Sequence, residues 1–230
     1  AEDGIRDDLV TGVQTCALPI CQRLSKYQEG ACEFRYFDCF AHASTLLCIY
    51  AITVDSTKRD LRLFFRQSRQ SQPVSRDWNL LFQTPEFTNA KVVASYHSYG
   101  QEPDTTEINS TILSLKKSLL LPRVNNDSSL SWIQWDGDSE NLVRRQNILE
   151  PSGMPFTGKI DLIITPALAI DIRGNRLGQG GGIYDRALAQ SEAWKVALIN
   201  DHEFVSDILP VESHDQRVDA VVTPTRIMRF

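Results

Sequence analysis

The residues best suited to chemistry lie in one run, DIRGNRLGQGGGIYDR, from Asp171 to Arg186. Gly178, Gly180, Gly181 and Gly182 lack Cβ atoms, so the backbone there can adopt positive φ values and come close to a ligand. The N–H groups of such a loop, with the start of the helix that follows, make a site for an anion such as phosphate. Arg176 sets a fixed positive charge beside it, and Asp185 puts a carboxylate one turn into the helix, where a magnesium ion can be held. The run matches neither the GxxxxGK phosphate loop nor the GxGxxG dinucleotide fingerprint, and glycines alone can simply turn a chain. Its place between an apolar strand and a helix, flanked by Arg and Asp, favours phosphate.

The elements that must position this loop read as alternating strands and helices. IDLIITPALAI (Ile160 to Ile170) is apolar enough for a central parallel strand leading into the loop, and GIYDRALAQ (Gly182 to Gln190) starts the next helix. Upstream, KRDLRLFFRQSRQ (Lys58 to Gln70) reads as a helix capped by Ser56 or Thr57, with Leu61, Phe64 and Phe65 on its apolar side. Pro73 and Ser75 punctuate before a second helix around Arg76 to Gln83. KVVASYHSY (Lys91 to Tyr99) reads as a strand, Thr105 to Lys117 as a helix, and SLLLPRV (Ser118 to Val124) as a buried strand. SLSWIQW (Ser129 to Trp135) alternates like a half-exposed strand, and WKVALIN and DAVVT supply two more. This order predicts one doubly wound α/β domain.

The 230 residues suit one sizeable domain, or a domain with an extension, and 42% hydrophobic residues suffice for a core. A net charge of −5 argues against a general nucleic-acid binder, which wants a basic face. The most apolar stretch, His42 to Val54, is too short and too internal for a membrane span or an ordinary signal peptide, which makes a cytoplasmic protein the expectation. All five cysteines (Cys16, Cys21, Cys32, Cys39, Cys48) fall within the first 48 residues; with no CxxC pair and an odd count, they read as unrelated thiols, not a zinc or disulfide framework. Ala1 to Ile20, above all the run VTGVQTCALPI, resembles a translated sequencing-library adapter. Cys21 to Val54 has no steady helical or strand period, so residues 1–55 are expected to be a non-native or disordered extension and 56–230 the domain.

GNRLGQGGGIYDR closely resembles the signature of the 5-formyltetrahydrofolate cyclo-ligase family, whose typical form is RLG-x-G-x-G-aromatic-Tyr-Asp. Further segments are similar to that family and follow its order. KRDLR (Lys58 to Arg62) resembles its N-terminal basic helix, SYHSYGQEPDT (Ser95 to Thr105) its strand and loop with a folate-contacting Glu, and ESHDQRVDAVVTP (Glu212 to Pro224) its acidic C-terminal segment. NILEP (Asn147 to Pro151) is a weaker match, and the resemblance spans about Ser56 to Phe230.

The resemblance implies a three-layer, Rossmann-like α/β domain with a mostly parallel sheet flanked by helices. It implies conversion of 5-formyltetrahydrofolate, with ATP and Mg2+, into 5,10-methenyltetrahydrofolate, ADP and phosphate, by a cytoplasmic monomer with no nucleic-acid or membrane partner. It places Lys58, Arg59, Asp60, Leu61 and Arg62, then Arg176, Leu177, Gly178, Gln179, Gly180, Gly181, Gly182, Ile183 and Tyr184, at ATP, with Lys58 and Arg176 catalytic. It places His97, Glu102, Gln179, Gly180, Gly181, Gly182 and Ile183 at the folate, and Asp185 and Asp215 at magnesium, with Asp219 as a substitute for Asp215. Two positions depart from the pattern: Ile183 stands where a ring-bearing residue is usual, and Gln146 where an aromatic is common before NILEP. Losing both rings would weaken pterin stacking unless Trp132, Trp135 or Tyr99 compensates.

Two rival expectations remain. Related layered α/β folds serve sugar-phosphate isomerases and CoA transferases, which would need a catalytic carboxylate and no ATP. A non-catalytic folate-binding homologue, suggested by Ile183, would bind formylfolate and release no ADP.

Overall fold

The computed structural model describes residues 57–145 and 148–230. The adapter-like run, all five cysteines, Gln146 and Asn147 lie outside the described residues. The first helix, α1 (Lys58–Gln70), begins in a capping box: the Thr57 hydroxyl accepts the Asp60 N–H at 3.3 Å, and the Asp60 carboxylate accepts the Thr57 N–H at 3.4 Å. Two short helices follow, α2 (Asn79–Phe82) and α3 (Pro85–Asn89), then strand β1 (Val92–Ala94) and helix α4 (Thr106–Ser114). Next come β2 (Ser118–Val124), β3 (Leu130–Trp135) and the hairpin of β4 (Leu142–Arg145) and β5 (Ile148–Pro151). The chain continues through β6 (Leu162–Pro166), β7 (Ala169–Asp171), β8 (Arg176–Leu177), α5 (Ile183–Ala189), β9 (Trp194–Leu198), β10 (Phe204–Val205), β11 (Ala220–Val222) and β12 (Ile227–Arg229).

Seven strands form the central sheet in the order β12-β11-β9-β6-β1-β2-β3. Its inner pairs, from β11 to β2, are all parallel, and only the outer strands β12 and β3 run antiparallel. Alternation along the strands sorts two faces. Val93, Leu119, Leu121, Leu162, Ile164, Val196 and Val222 pack against Trp78, Leu81, Phe87, Ile108 and Ile112 from the α2–α4 side. Ala94, Leu120 and Ile163 face Leu188 of α5 on the other side, while Ala197 and Val221 meet Ile170 of a small second sheet, ordered β10-β7-β8. The expected three-layer α/β architecture with a mostly parallel sheet is what the chain adopts. No helix among the described residues is long and apolar enough to cross a membrane.

Several elements are shorter than their composition predicts, each for a local reason. The strand expected over Lys91 to Tyr99 ends at Ala94, because the Tyr96 carbonyl leaves the ladder to accept from the Thr105 hydroxyl at 2.6 Å and Asn109 Nδ2 at 3.0 Å. The helix expected over Arg76 to Gln83 starts only at Asn79, and Thr84 then caps α3 with Pro85 in its first turn. The helix expected to reach Lys117 stops at Ser114, and Lys116 takes a left-handed φ of 57°. The apolar run Ile160 to Ile170 is two strands in two sheets: Pro166 ends β6, and β7 pairs with β8 and β10.

Candidate active site

In an open doubly wound sheet, ligands bind outside the carboxyl ends of strands where the winding reverses. Here the neighbours β2-β1-β6-β9-β11 place that reversal between β1 and β6. The loop after β1 carries Glu102, and the chain leaving β6 makes the β7–β8 hairpin and enters the glycine loop. Buried Asp171 pins the hairpin: its carboxylate accepts the N–H groups of Arg173 at 2.8 Å, Asn175 at 2.9 Å and Leu209 at 3.0 Å, and Asn175 Nδ2 at 2.7 Å. Helix α1 rests on this hairpin through Leu61 and Phe65, which pack with Leu168, Ala169, Leu177 and Leu209.

That packing aims a basic stripe of α1 at the site. Lys58 Nζ lies 2.5 Å from Asp215 Oδ2 and 3.6 Å from Glu212 Oε1. One turn on, Arg62 Nε donates to the Gly178 carbonyl at 2.9 Å. After another turn, Arg66 donates from Nε to Gln179 Oε1 and from Nη2 to the Gln179 carbonyl, both at 2.9 Å. Arg69 closes the stripe; it is buried, paired with Glu203 at 2.5 and 2.8 Å, and also donates to the Ala167 carbonyl. Burial works against its charge, but Glu203 outweighs burial and raises the guanidinium above its ordinary value.

Arg176 sits beneath the loop. Its Nη2 reaches Asp185 Oδ1 at 2.7 Å and its Nη1 the Pro166 carbonyl at 3.3 Å, while its buried Nε has no hydrogen-bond partner among the described residues. An orphaned guanidinium N–H at the base of a glycine loop suits an anionic ligand, since an unpaired buried donor is costly. A Cβ on Gly178 would stand 2.8 Å from Arg176 Nη1, so a side chain there would displace the guanidinium. Gly180 has a φ of +105°, a conformation L side chains rarely adopt. Tyr184 stands with its ring 5.9 Å from the Arg176 guanidinium and edge-on to Trp132 at 6.3 Å. Burial, and then the nearby Glu102 charge, raises its phenol above the ordinary value.

The two expected metal carboxylates are connected through the chain: the N–H of Gln216, the residue after Asp215, donates to Asp185 Oδ1 at 3.2 Å. Asp215 accepts from Lys58 and from the Glu212 N–H at 2.6 Å. Burial works to raise the Asp215 carboxyl, but those donors outweigh it and hold the group below the ordinary carboxylate range. Carboxylate oxygens beside the glycine loop are donors that suit Mg2+, an ion commonly held by one or two carboxylates plus phosphate oxygens. Asp219 stands elsewhere; its carboxylate accepts the Lys195 N–H at 2.7 Å beside the central sheet.

Glu102 is 7% exposed and shares a cleft of about 230 Å³ with Arg66, Arg69, Tyr99, Leu168 and Gln179. Burial pushes its carboxyl up to about 7, against the opposing pull of the Tyr99 N–H, the Arg69 charge and the Gln179 side chain. Of the three rings named above as substitutes for the missing aromatics, Tyr99 lines this cleft, Trp132 packs against Tyr184, and Trp135 donates to the Asp138 carbonyl at 2.8 Å. Ile183 is half-buried at the start of α5, with its side chain near Gly181.

The structure therefore brings together Lys58, Arg62, Arg176, the loop from Gly178 to Tyr184, Asp185 and Asp215, with Glu102 in the adjoining cleft. Arg59 is exposed, Asp60 is engaged in the helix cap, and Leu61 and Leu177 belong to the apolar contact beneath the site. Among the described residues, His97 has one hydrogen-bond contact, the carbonyl of neighbouring Ser98 at 3.2 Å from Nδ1. Arg66 and Arg69 were missed by the sequence reading, although both fall in register with Lys58 and Arg62 on one helix face.

The chain is similar to known proteins. The chain is 34% identical over 150 residues to a 5-formyltetrahydrofolate cyclo-ligase of Mycolicibacterium smegmatis, covering 60% of this chain and 76% of that protein. It is 33% identical over 156 residues to the Escherichia coli protein of that name, covering 64% and 85%. The solved structure of an Aquifex aeolicus 5,10-methenyltetrahydrofolate synthetase superposes with a TM-score of 0.65 at 29% identity, covering 75% of this chain and 92% of that one. The model of the 5-formyltetrahydrofolate cyclo-ligase family matches residues 57–224, and the chain belongs to that family.

Proposed function

We propose that this chain cyclises 5-formyltetrahydrofolate to 5,10-methenyltetrahydrofolate with consumption of ATP, acting as a cytoplasmic monomer. The observation that carries this reading is the gathering of Lys58 with Asp215, Arg62 with Gly178 and Arg176 with Asp185 around the glycine loop, beside the Glu102 cleft. The N5-formyl group is amide-like, a poor electrophile that would have to expel hydroxide. Transfer of the γ-phosphoryl group to the formyl oxygen releases ADP and leaves an iminium-like carbon. N10 of the same substrate attacks that carbon and loses its proton, and the C–O bond breaks to release phosphate. The protein supplies no covalent nucleophile; its work is alignment and charge neutralisation.

In this reading Lys58, Arg62 and the orphaned Nε of Arg176 take the phosphate oxygens, and the loop from Gly178 to Gly182 lets the backbone approach them. Arg176 would hold the moving phosphoryl group while Asp185 keeps the guanidinium in place. Asp185 and Asp215 would hold Mg2+, which when bound supplies charge neutralisation on the phosphates. Glu102 would take the folate, with Tyr99 offering the ring that Ile183 does not.

The test follows methenyltetrahydrofolate absorbance in the wild-type chain and in Arg176→Ala. Product that requires ATP in the wild type and is lost in the folded variant supports the proposal. Product formed without ATP overturns it. Formylfolate binding with no ADP release would instead favour the non-catalytic reading that Ile183 raises, with Ile183→Tyr as the rescue.

A further inference from the structure

We propose that Arg186 is a positioning residue: anchored on the turn between β2 and β3, it holds the Gly181 carbonyl and so sets the direction of the Gly182 N–H that the glycine loop offers to phosphate. The role rests on the proposed use of that loop for nucleotide. Arg186 sits in α5, and its guanidinium reaches back over the loop: a Cβ on Gly182 would stand 3.2 Å from its Nη1. From there Nη2 donates to two carbonyls, that of Ser128 at 2.7 Å and that of Gly181 at 3.4 Å. The shorter bond ties the side chain to the turn, and the longer one bridges from the turn to the loop. The turn itself is well braced. Ser128 takes a left-handed φ of 63°, with its N–H on the Asn125 carbonyl at 2.9 Å. The Asp127 carboxylate accepts the Ser129 N–H at 2.9 Å and the Ser129 hydroxyl at 2.6 Å.

A trans peptide unit is planar, so its C=O and N–H point in opposite directions. A donor that fixes the carbonyl of one residue therefore fixes the N–H of the next. Three arginines do this along the loop: Arg62 at the Gly178 carbonyl and Arg66 at the Gln179 carbonyl, both at 2.9 Å, and Arg186 at the Gly181 carbonyl. The N–H groups turned away from them belong to Gln179, Gly180 and Gly182. None of those three meets an acceptor among the described residues, so all are free to receive an anion. Arg62 and Arg66 come from α1 and hold the first half of the loop. Its second half is Gly180 to Gly182, where no Cβ restricts rotation and a peptide plane flips easily. There the hold falls to Arg186, whose donors face carbonyls.

Asp127→Ala separates positioning from charge. Removing an acid close to an anion site tightens anion binding if charge alone matters. Here it slackens the turn that presents the Ser128 carbonyl, so the positioning role predicts weaker binding. Arg186→Ala removes the hold outright, and Arg186→Lys keeps the charge but loses the planar fork. The experiment titrates the full chain with a non-hydrolysable ATP analogue and Mg2+, followed by isothermal calorimetry, and separately with 5-formyltetrahydrofolate; neither arm needs turnover. Arg186→Ala is expected to bind the analogue roughly tenfold more weakly, the scale of one charge-assisted hydrogen bond, with Arg186→Lys between it and wild type. Asp127→Ala should also lose affinity for the analogue. Formylfolate affinity should stay within about twofold in all three, the mark of a local effect on the loop rather than a general loosening. Arg186→Ala binding the analogue like wild type, Asp127→Ala binding it as well as wild type or better, or Arg186→Ala weakening formylfolate as much as the analogue would overturn the proposal. A wild-type chain that binds both ligands but makes no product would count against the activity and leave the positioning role standing. A wild type that does not bind the analogue overturns both.

Discussion

Glu102→Gln should make the protein more stable above neutral pH. The carboxyl is buried, and its value moves from the ordinary 4.5 to about 7, with desolvation outweighing the Tyr99 N–H, the Arg69 charge and the Gln179 amide. Between those values the folded chain holds a proton that the unfolded chain has lost. Stability therefore falls as pH rises from about 4.5 to about 7 and stays reduced above that window. At roughly 1.4 kcal/mol per pH unit, the step from 4.5 to about 7 comes to about 3 kcal/mol. A glutamine has nearly the same shape and does not titrate, so the variant escapes this loss. The assay is urea unfolding of wild type and variant across pH 4.5 to 8, comparing the difference between them so that other titrations cancel. That difference should move in the variant's favour by about 3 kcal/mol over the window, most of it between pH 5 and 7. A constant difference from pH 5 to 8 would refute the reasoning, because Glu102 would then ionise alike in both states.

Other perturbations have equally definite outcomes. Gly178→Ala places a methyl 2.8 Å from Arg176 Nη1 without demanding a forbidden backbone, so turnover should fall on the order of 100-fold while the unfolding midpoint barely moves. Arg69→Ala strands buried Glu203 and should cost about 3–5 kcal/mol in urea unfolding, whereas Arg66→Ala, at an exposed pair, should cost under about 1 kcal/mol. Asp215→Asn should raise the Mg2+ concentration for half-maximal turnover by about tenfold or more, read from a magnesium titration at saturating ATP. Thr57→Ala should destabilise the chain by about 1 kcal/mol through loss of the α1 cap, read from the urea midpoint.

The fold was legible where local pattern and burial agree. The apolar runs of β2, β6, β9 and β11 are strands of the parallel interior, where both faces are covered and alternation is not required. The second sheet was not legible. Ala169 to Asp171 continues the apolar run of β6, and its pairing with Phe204 and Val205 comes from a distant part of the chain. Tyr96 likewise has strand composition, yet the donors that draw its carbonyl off the ladder come from Thr105 and Asn109.

In the site, the glycine loop, Arg176 and Asp185 could be read directly, because loop, cation and carboxylate fall within one short segment. Lys58, Arg62, Glu102 and Asp215 were reached only through family resemblance. Their partners lie far away in the chain: 157 residues separate Lys58 from Asp215, and 116 separate Arg62 from Gly178. Arg66 and Arg69 stood in plain register with Lys58 and Arg62, but a basic helix face is usually only a solvated one. It took the hairpin beneath α1, held by Asp171, to give that face something to grip.

In the proposed reaction the formyl oxygen is phosphorylated before the ring closes. The most direct measurement supplies the full chain with 5-formyltetrahydrofolate labelled with 18O in the formyl group, Mg2+ and unlabelled ATP, and follows ADP, methenyl product and the label together. Phosphorylation of the formyl oxygen gives ADP and methenyltetrahydrofolate in a one-to-one ratio, with the label recovered in inorganic phosphate. Methenyl product formed without ADP, or with the label released to water, would contradict it.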